Sequence, residues 1–138
     1  MAYKKPLPKP NSDTRPFWNG CRNHELRFQR CKECEHVRWP PSILCPRCYS
    51  PETEWIVSKG RGRVYSFVVY HVAFHPAFKD EVPYITAIVE LPEGPHLLTN
   101  IVGCETSKVT CDMHVEVAWE DINEELSLPK FKPVSGDY

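Results

Sequence analysis

The sequence contains no long hydrophobic run. No stretch approaches the roughly 20 apolar residues that a transmembrane helix needs, so no membrane span is expected. The first six residues, Met1 to Pro6, also lack the apolar core of a secretory signal. These absences predict a cytoplasmic protein in a reducing compartment, where structural disulfides are rare.

Helical periodicity and catalytic signatures are both scarce. Fourteen of the 138 residues are proline, and few segments show a helical repeat, which favours strands and turns over a helical bundle. No Ser-His-Asp order, glycine-rich phosphate loop or clustered carboxylate pair stands out. The pair Gly60 and Gly62 lacks the third glycine of a dinucleotide motif and precedes a strand pattern, which indicates a structural role.

Excess charge is small over the whole chain, with a net charge of −1, but it is unevenly distributed. Residues 1–19 carry +3, residues 20–63 carry +4, and residues 64–138 carry −8. Nucleic-acid binding takes most of its affinity from lysine and arginine side chains that neutralise phosphates. The acidic second half therefore argues against nucleic acid as the partner.

Four of the seven cysteines form two Cys-x-x-Cys pairs separated by ten residues. Each pair can form a tight knuckle whose two sulfurs point at one ion, and the intervening residues can bring the second knuckle opposite the first. The pattern predicts a closed four-thiolate site for structural zinc; iron bound as in rubredoxin and a pair of disulfides are the less favoured alternatives. The predicted ligands are Cys31, Cys34, Cys45 and Cys48, and the predicted buried thiols are Cys21, Cys104 and Cys111.

The chain divides into three predicted parts. Residues 1–24 combine a proline-rich extended arm with a short helix, which Asp13 or Thr14 can cap. Residues 25–58 contain both cysteine pairs and short alternating strands, the pattern of a zinc ribbon. Residues 59–138 contain β-branched and aromatic runs between turn residues, which predict a third part made of strands.

The strand pattern of residues 59–138 predicts a small antiparallel barrel. A fifth strand is available either near Phe131 or at Trp55, and five strands are the number of an OB-fold. No strong helical pattern lies between Val102 and Cys111, so the usual OB-fold helix is expected to be reduced to a turn. The predicted fold is therefore mainly β: a short N-terminal helix, a rubredoxin-like zinc ribbon and a five-stranded OB-fold barrel. The four clearer strand patterns begin at Val64, Tyr84, Leu97 and His114.

A series of motifs runs along the chain in this order: Pro16-Phe17-Trp18, Gln29-Arg30-Cys31-x-x-Cys34, Cys45-Pro46-x-Cys48, Gly60-x-Gly62-x-Val64-Tyr65-Ser66 and Val89-Glu90-Leu91-x-x-Gly94. From about Thr14 to Pro133 the chain resembles a widespread archaeal and bacterial family that joins a rubredoxin-like zinc ribbon to an OB-fold and was long catalogued as a domain of unknown function. Glu35, Tyr49 and Cys111 depart from the family pattern, because each stands where a glycine is common. The two positions after the knuckles often need a positive φ, so local strain is expected there.

The resemblance implies a non-catalytic accessory role. Members of the family look like subunits that scaffold thiolases, hydroxymethylglutaryl-CoA synthases or related thiolase-like enzymes and help to hold acyl-CoA. Two alternatives from other classes are a nucleic-acid-binding module and a rubredoxin-like electron carrier. Salt-dependent affinity for single strands would favour the first alternative, and a red purified protein would favour the second.

Two groups of residues are candidate contacts for a partner enzyme or for acyl-CoA. The long connection 71–83 carries Phe74, His75 and Phe78, and aromatic side chains on a long loop indicate a functional surface. Arg61 and Arg63 offer guanidinium donors for the phosphates of coenzyme A. The competing interpretations are a satellite core beneath the loop and an ordinary solvated basic face. The same candidate basic face includes Arg22, Arg27, Arg30 and Arg38.

Overall fold

The first regular element of the described chain is a short helix. The computed structural model describes residues 7–134, so the first six residues of the predicted arm and the last four residues of the chain lie outside the described part. The helix, α1 (Arg15–Arg22), has Pro16 in its first turn, as predicted. Phe17 is buried on its inner side, and Trp18 packs against the same core, so both rings serve the packing of this chain.

The predicted side-chain cap of α1 is not formed. Thr14 precedes the helix, but its φ of −98° and ψ of −10° are already helical, whereas a capping side chain needs an extended backbone there. The Thr14 hydroxyl instead accepts the Asn11 N–H at 3.0 Å. Asn11 Oδ1 accepts the N–H groups of Asp13 and Thr14 at 2.9 and 3.0 Å. A turn before the helix therefore satisfies these donors.

The ribbon sheet contains three antiparallel strands, β1 (Arg27–Cys31), β2 (Val37–Arg38) and β3 (Thr53–Val57), in the order β2-β1-β3. β1 runs into the first cysteine pair, as predicted. Trp55 lies opposite Gln29 of β1, so the strand pattern at Trp55 belongs to the ribbon and not to the barrel.

The second sheet is a closed barrel of five strands: β4 (Arg61–Tyr70), β5 (Tyr84–Glu90), β6 (His96–Ile101), β7 (His114–Asp121) and β8 (Ser127–Pro133). Their order is β4-β5-β6-β8-β7, and β7 returns to pair with β4. Only β6 and β8 run parallel, with Ile101 opposite Phe131. This is the Greek-key order of an OB-fold, with β8 as the fifth strand, and it confirms the predicted fold class. Residues 102–113, all of them described, contain turns and no helix, as expected.

One hydrophobic core joins the helix, the ribbon and the barrel. Phe17 of α1 and Phe28 of β1 lie in the same buried cluster as Val64, Val89 and Phe131 of the barrel, and none of the five is more than 1% exposed. The predicted division into residues 1–24, 25–58 and 59–138 stays a prediction, because a shared core gives no sharp boundary between the parts.

The connection between the ribbon and the barrel is fixed by a polar link and two glycines. Ser58 Oγ donates to Glu93 Oε1 at 2.7 Å, which ties the connection to the turn between β5 and β6. Gly60 has a φ of +71°, and a Cβ there would meet a β7 side chain at 2.7 Å. A Cβ at Gly62 would meet a β5 carbonyl oxygen at 2.5 Å. These close approaches explain why both positions need glycine.

Candidate metal centre and contact surfaces

Both cysteine pairs form knuckles with the same hydrogen bonds. In the first, the Cys31 N–H donates to the His36 carbonyl at 2.9 Å, and the Glu35 N–H donates to the Cys31 carbonyl at 2.9 Å. In the second, the Cys45 N–H donates to the Ser50 carbonyl at 2.9 Å, and the Tyr49 N–H donates to the Cys45 carbonyl at 2.8 Å. The repeated pattern turns both sulfurs of each pair inward.

The residue after each knuckle has a left-handed backbone. Glu35 has a φ of 66° and Tyr49 a φ of 62°, as the sequence analysis expected of these two non-glycine positions. In the turn before β7 the residue with a left-handed backbone is Asp112, with a φ of 67°. The preceding residue, Cys111, does not have a positive φ. Cys111 is exposed and Cys104 is partly exposed, so the prediction of a buried thiol holds only for Cys21.

The four cysteine sulfurs form a compact cluster. Cys31 Sγ lies 3.5 Å from Cys48 Sγ, Cys34 Sγ lies 3.5 Å from Cys45 Sγ, and all four sulfurs lie within 4.8 Å of one another. A tetrahedral ion with metal–sulfur bonds of about 2.3 Å needs sulfurs about 3.8 Å apart, so the cluster fits a closed four-coordinate metal site. All seven cysteines are free thiols, which does not match the disulfide alternative.

The ionisation of the cluster also favours a cation. Burial raises the pKa of the Cys45 thiol, but the N–H groups of Cys48 and Arg47 and the neighbouring thiols outweigh burial and lower it to about 6. The Ser50 N–H lowers the pKa of Cys48, yet burial and its contacts with the other thiols raise it to about 12. Four thiols this close cannot all lose their protons without a positive ion to compensate their charge.

A buried arginine supports the segment between the two knuckles. Arg38 is only 4% exposed and donates to Ser42 Oγ and to the Ser42 carbonyl, each at 3.0 Å, and to Thr53 Oγ1 at 2.7 Å. The Ser42 N–H donates to Gln29 Oε1 at 2.8 Å. Arg38 is therefore not part of an exposed basic face, as the sequence analysis had grouped it. Nothing in the sequence pattern distinguishes these buried polar residues from exposed ones, so their supporting role could not be predicted.

The connection 71–83 carries the aromatic candidates in one neighbourhood. Phe74 is 81% exposed and its ring lies 6.0 Å from that of Tyr70. His75 is exposed, and its Nδ1 accepts the Ala77 N–H at 3.0 Å at the start of a single 3-10 turn. Phe78 is partly buried, with its ring 5.6 Å from that of Tyr84. The three candidates therefore belong to a row of aromatic side chains at one end of the barrel.

The two arginine candidates lie elsewhere and are paired with carboxylates. Arg61 Nη2 lies 3.8 Å from Glu116 Oε2, and Arg63 Nη2 lies 2.9 Å from Glu90 Oε1. The Arg63 guanidinium holds the pKa of the Glu90 carboxyl below its usual range. Both arginines are at the start of β4, whereas the aromatic connection follows its end. A ten-residue strand separates these ends by about 30 Å, so the structure does not unite the two groups of candidates.

The described part of the chain contains no helix that is long and apolar enough to cross a membrane.

A zinc-ribbon sheet with a four-cysteine cluster, packed against a closed OB-fold barrel, defines a class of two-module proteins. Two family models match consecutive parts of this chain: the rubredoxin-like zinc ribbon domain of ChsH2 at residues 18–54, and the C-terminal OB-fold domain of ChsH2 at residues 55–120. The chain belongs to this ChsH2-type zinc-ribbon and OB-fold family, also known as DUF35. The resemblance that the sequence motifs indicated is therefore confirmed.

Curated relatives carry different names across this family. The chain is 40% identical over 129 residues to a probable enoyl-CoA hydratase alpha subunit of Thermomonospora curvata, covering 94% of this chain and 40% of that protein. It is 39% identical to a DUF35 domain-containing scaffold protein of Methanocaldococcus jannaschii, covering 76% and 79% of the two chains. It is 31% identical to the benzoylsuccinyl-CoA thiolase subunit BbsA of Geobacter metallireducens, covering 78% and 72%.

One solved structure is similar over nearly the whole chain. It is named Ltp2-ChsH2(DUF35) aldolase, and its matching chain is 38% identical with a TM-score of 0.84, covering 92% of this chain and 98% of that chain. By contrast, this chain spans about 40% of the length of the two hydratase alpha subunits that it matches. The similarity to the larger proteins therefore concerns one part of each.

Proposed function

We propose that this chain is a non-catalytic accessory subunit of an acyl-CoA-processing complex, in which it scaffolds a thiolase-like or hydroxymethylglutaryl-CoA synthase-like enzyme and helps to hold acyl-CoA. The observation that carries the proposal is the match over 92% of this chain to the ChsH2 chain of an aldolase structure. The relatives named as a thiolase subunit and as scaffold proteins support the same role.

Three titratable groups outside the cysteine cluster are not tuned for acid–base catalysis. Catalytic acids and bases usually have pKa values tuned toward the working pH. Hydrogen bonds from Arg63 and His24 instead hold the pKa values of Glu90 and Asp121 below their usual range, which keeps both carboxyls ionised. Burial raises the pKa of the Cys21 thiol to about 12, so this thiol stays protonated and inert.

The aromatic residues of the connection 71–83 and the two arginines of β4 have different proposed roles. Phe74, His75 and Phe78 would contact the partner or the acyl-pantetheine part of its substrate, because an 81% exposed phenylalanine is costly to leave in water. Arg61 and Arg63 would meet phosphates of coenzyme A or acidic groups of the partner. Their present carboxylate partners would have to be exchanged for those groups, so the arginines are the weaker of the two candidates.

The proposed metal is zinc, held by Cys31, Cys34, Cys45 and Cys48. With four thiolates a zinc ion has no open position for substrate, and it supplies structural cross-linking of the ribbon. Metal analysis of the purified protein tests this assignment, with one zinc per chain as the expected result. A red protein with one iron per chain would instead support the rubredoxin-like alternative.

The decisive experiment is affinity purification of the tagged chain from its native cell, followed by mass spectrometry. We expect a stoichiometric thiolase-superfamily or other acyl-CoA enzyme. Stoichiometric nucleic acid, or a chain that purifies alone, would overturn the proposal.

Replacement of Phe78 by alanine tests the aromatic connection. We expect the variant to bind the recovered enzyme about tenfold more weakly, which corresponds to about 1.4 kcal/mol, because a partly buried aromatic anchor is lost. The metal content should stay unchanged. Val57→Ala is the control, since Val57 is 56% exposed at the end of β3 in the ribbon sheet and is not part of the connection. Equal affinities of both variants and the unmodified protein would assign Phe78 to local packing only.

A further inference from the structure

The outer face of β4, β5 and β6 contains no charged side chain over its central eight positions. Strand pairing aligns Val68 with Thr86 and Thr86 with Asn100, while the alternate residues of β5 and β6 point into the buried core. The outward positions can therefore be read directly from the pairing. They are Ser66, Val68 and Tyr70 of β4, Tyr84, Thr86 and Ile88 of β5, and Leu98 and Asn100 of β6.

This uncharged face exposes large apolar side chains. Leu98 is 66% exposed and Val68 is 53% exposed. The face continues into the connection 71–83 through ring contacts, since the Tyr70 ring lies 5.2 Å from that of Tyr84 and 6.0 Å from that of Phe74. Contiguous exposed apolar surface of this kind marks a site of interaction with another protein.

Polar groups border the face on two sides. On one side Glu90 accepts hydrogen bonds from Arg63 at 2.9 Å and pairs with His96 Nε2 at 3.3 Å. On the other side Lys130 Nζ donates to Asn100 Oδ1 at 2.5 Å. The same Lys130 Nζ lies 4.0 Å from Glu120 Oε2. An apolar centre with a polar rim is the usual anatomy of a protein–protein interface.

The adjoining side of the same barrel, formed by β8 and β7, is charged. The outward positions of β7 and β8 include two glutamates and two lysines, and their side chains form ion pairs across the strands, with Lys132 Nζ 4.0 Å from Glu116 Oε1. Since both sides belong to one closed barrel, packing of the core does not require this difference. The uncharged face is therefore a feature of the outside of the molecule.

We propose that the outer face of β4–β6, together with the connection 71–83, is the surface on which the acyl-CoA enzyme docks, through an uncharged apolar concave surface of that enzyme. This inference rests on the proposed function. A nucleic-acid strand does not fit the face, because none of its eight positions offers a cation to a phosphate. A second copy of this chain is the other candidate occupant, and the oligomeric state of the unmodified protein distinguishes it from the enzyme.

The test compares glutamate substitutions on and off the face, in the full chain. Leu98→Glu on β6 and Val68→Glu on β4 each place a charge near its centre, on either side of β5. Ile43→Glu is the matched control, because Ile43 is 71% exposed on the ribbon and undergoes the same change. Affinity is measured against the purified acyl-CoA enzyme recovered with the tagged protein. Circular dichroism and metal content confirm that each variant is folded.

We expect both variants on the face to bind at least 100-fold more weakly, and the Ile43 variant to bind within twofold of the unmodified protein. Unchanged affinity of folded Leu98 and Val68 variants would overturn the docking face while leaving the proposed function intact. If the unmodified protein binds no such enzyme, the proposed function fails, and the docking proposal fails with it. A dimer of the unmodified chain that either substitution dissociates would assign the face to self-association and would also overturn the proposal.

Discussion

The ribbon and the barrel belong to one chain but are stabilised in different ways. The ribbon sheet has three short strands, one of only two residues, and its two knuckles meet around four sulfurs. A unit this small buries little apolar surface of its own, so it should depend on a metal held by the four cysteines and on the core that it shares with the barrel. The barrel closes its strands on themselves and fills its interior with side chains such as Val64 and Phe131. Each part should therefore respond to a different perturbation.

Loss of one thiolate should have the largest effect. Cys45→Ser removes one of four predicted ligands, and the ribbon should lose its metal and its protection against hydrogen exchange. Structural zinc sites contribute about 10–16 kcal/mol of apparent binding energy, which a three-ligand site cannot retain. Metal analysis and hydrogen exchange check this outcome, with Cys111→Ser as the exposed-cysteine control. A folded Cys45 variant with full metal content would contradict the role of the metal in holding the ribbon.

A cavity in the barrel should have the second largest effect and the opposite pattern. Phe131 is fully buried, and Phe131→Ala should lower the free energy of unfolding by about 3–5 kcal/mol. The four sulfurs lie outside this site, so the native variant should keep its full metal content. Urea unfolding and metal analysis measure the two quantities. Loss of metal from the still-folded variant would show that the metal site of the ribbon depends on the packing of the barrel.

Relief of backbone strain in the ribbon should have a smaller effect. Tyr49 has a φ of 62° and is 74% exposed, so its side chain contributes little packing. Tyr49→Gly should therefore stabilise the metal-bound protein by up to about 1 kcal/mol, since the left-handed region disfavours side chains by this amount. Thermal unfolding measures the change. A lower melting temperature would mean that the exposed ring has a stabilising contact of its own.

The contact between His24 and the barrel should give the smallest effect, and one that depends on pH. His24 Nε2 lies 2.7 Å from Asp121 Oδ1, and the hydrogen bond from His24 lowers the pKa of the Asp121 carboxyl. A depressed folded-state pKa stabilises the protein above the unfolded pKa of about 3.9, and this stabilisation is lost as the pH falls through the folded-state value. The unmodified protein should therefore have a higher urea midpoint than Asp121→Asn at pH 6. This difference should become smaller at pH 2.5. A constant difference across this range would remove Asp121 as the titrating group.

The sequence predicted the elements whose signals are local. Alternation predicted the strands around Phe28 and Val115, and the spacing of the cysteines predicted a cluster that the structure brings within 4.8 Å. The choice between Trp55 and Phe131 as the fifth barrel strand stayed open, because both segments have strand patterns and only long-range pairing separates them. Pairing across the whole chain is not encoded in any short window.

Other features could not be predicted because they depend on distant partners. The buried positions of Gln29 and Arg38 follow from their contacts with Ser42, and polar residues on short strands are more often exposed. The uncharged outer face of the barrel becomes visible only when Leu98 is aligned with Ile88 across two strands. The missing helix cap at Thr14 reflects backbone angles that the residue type alone does not fix.

The strand order also has a consequence for synthesis of the chain. Among the described strands β8 is made last, yet it lies between β6 and β7, so the barrel cannot close before residues 127–133 leave the ribosome. The four cysteines between residues 31 and 48 emerge much earlier and can capture metal while most of the barrel is still untranslated. During that interval Phe17 of α1 and Phe28 of β1 have no barrel to cover them. The nascent chain therefore passes through a stage at which chaperones have an exposed target.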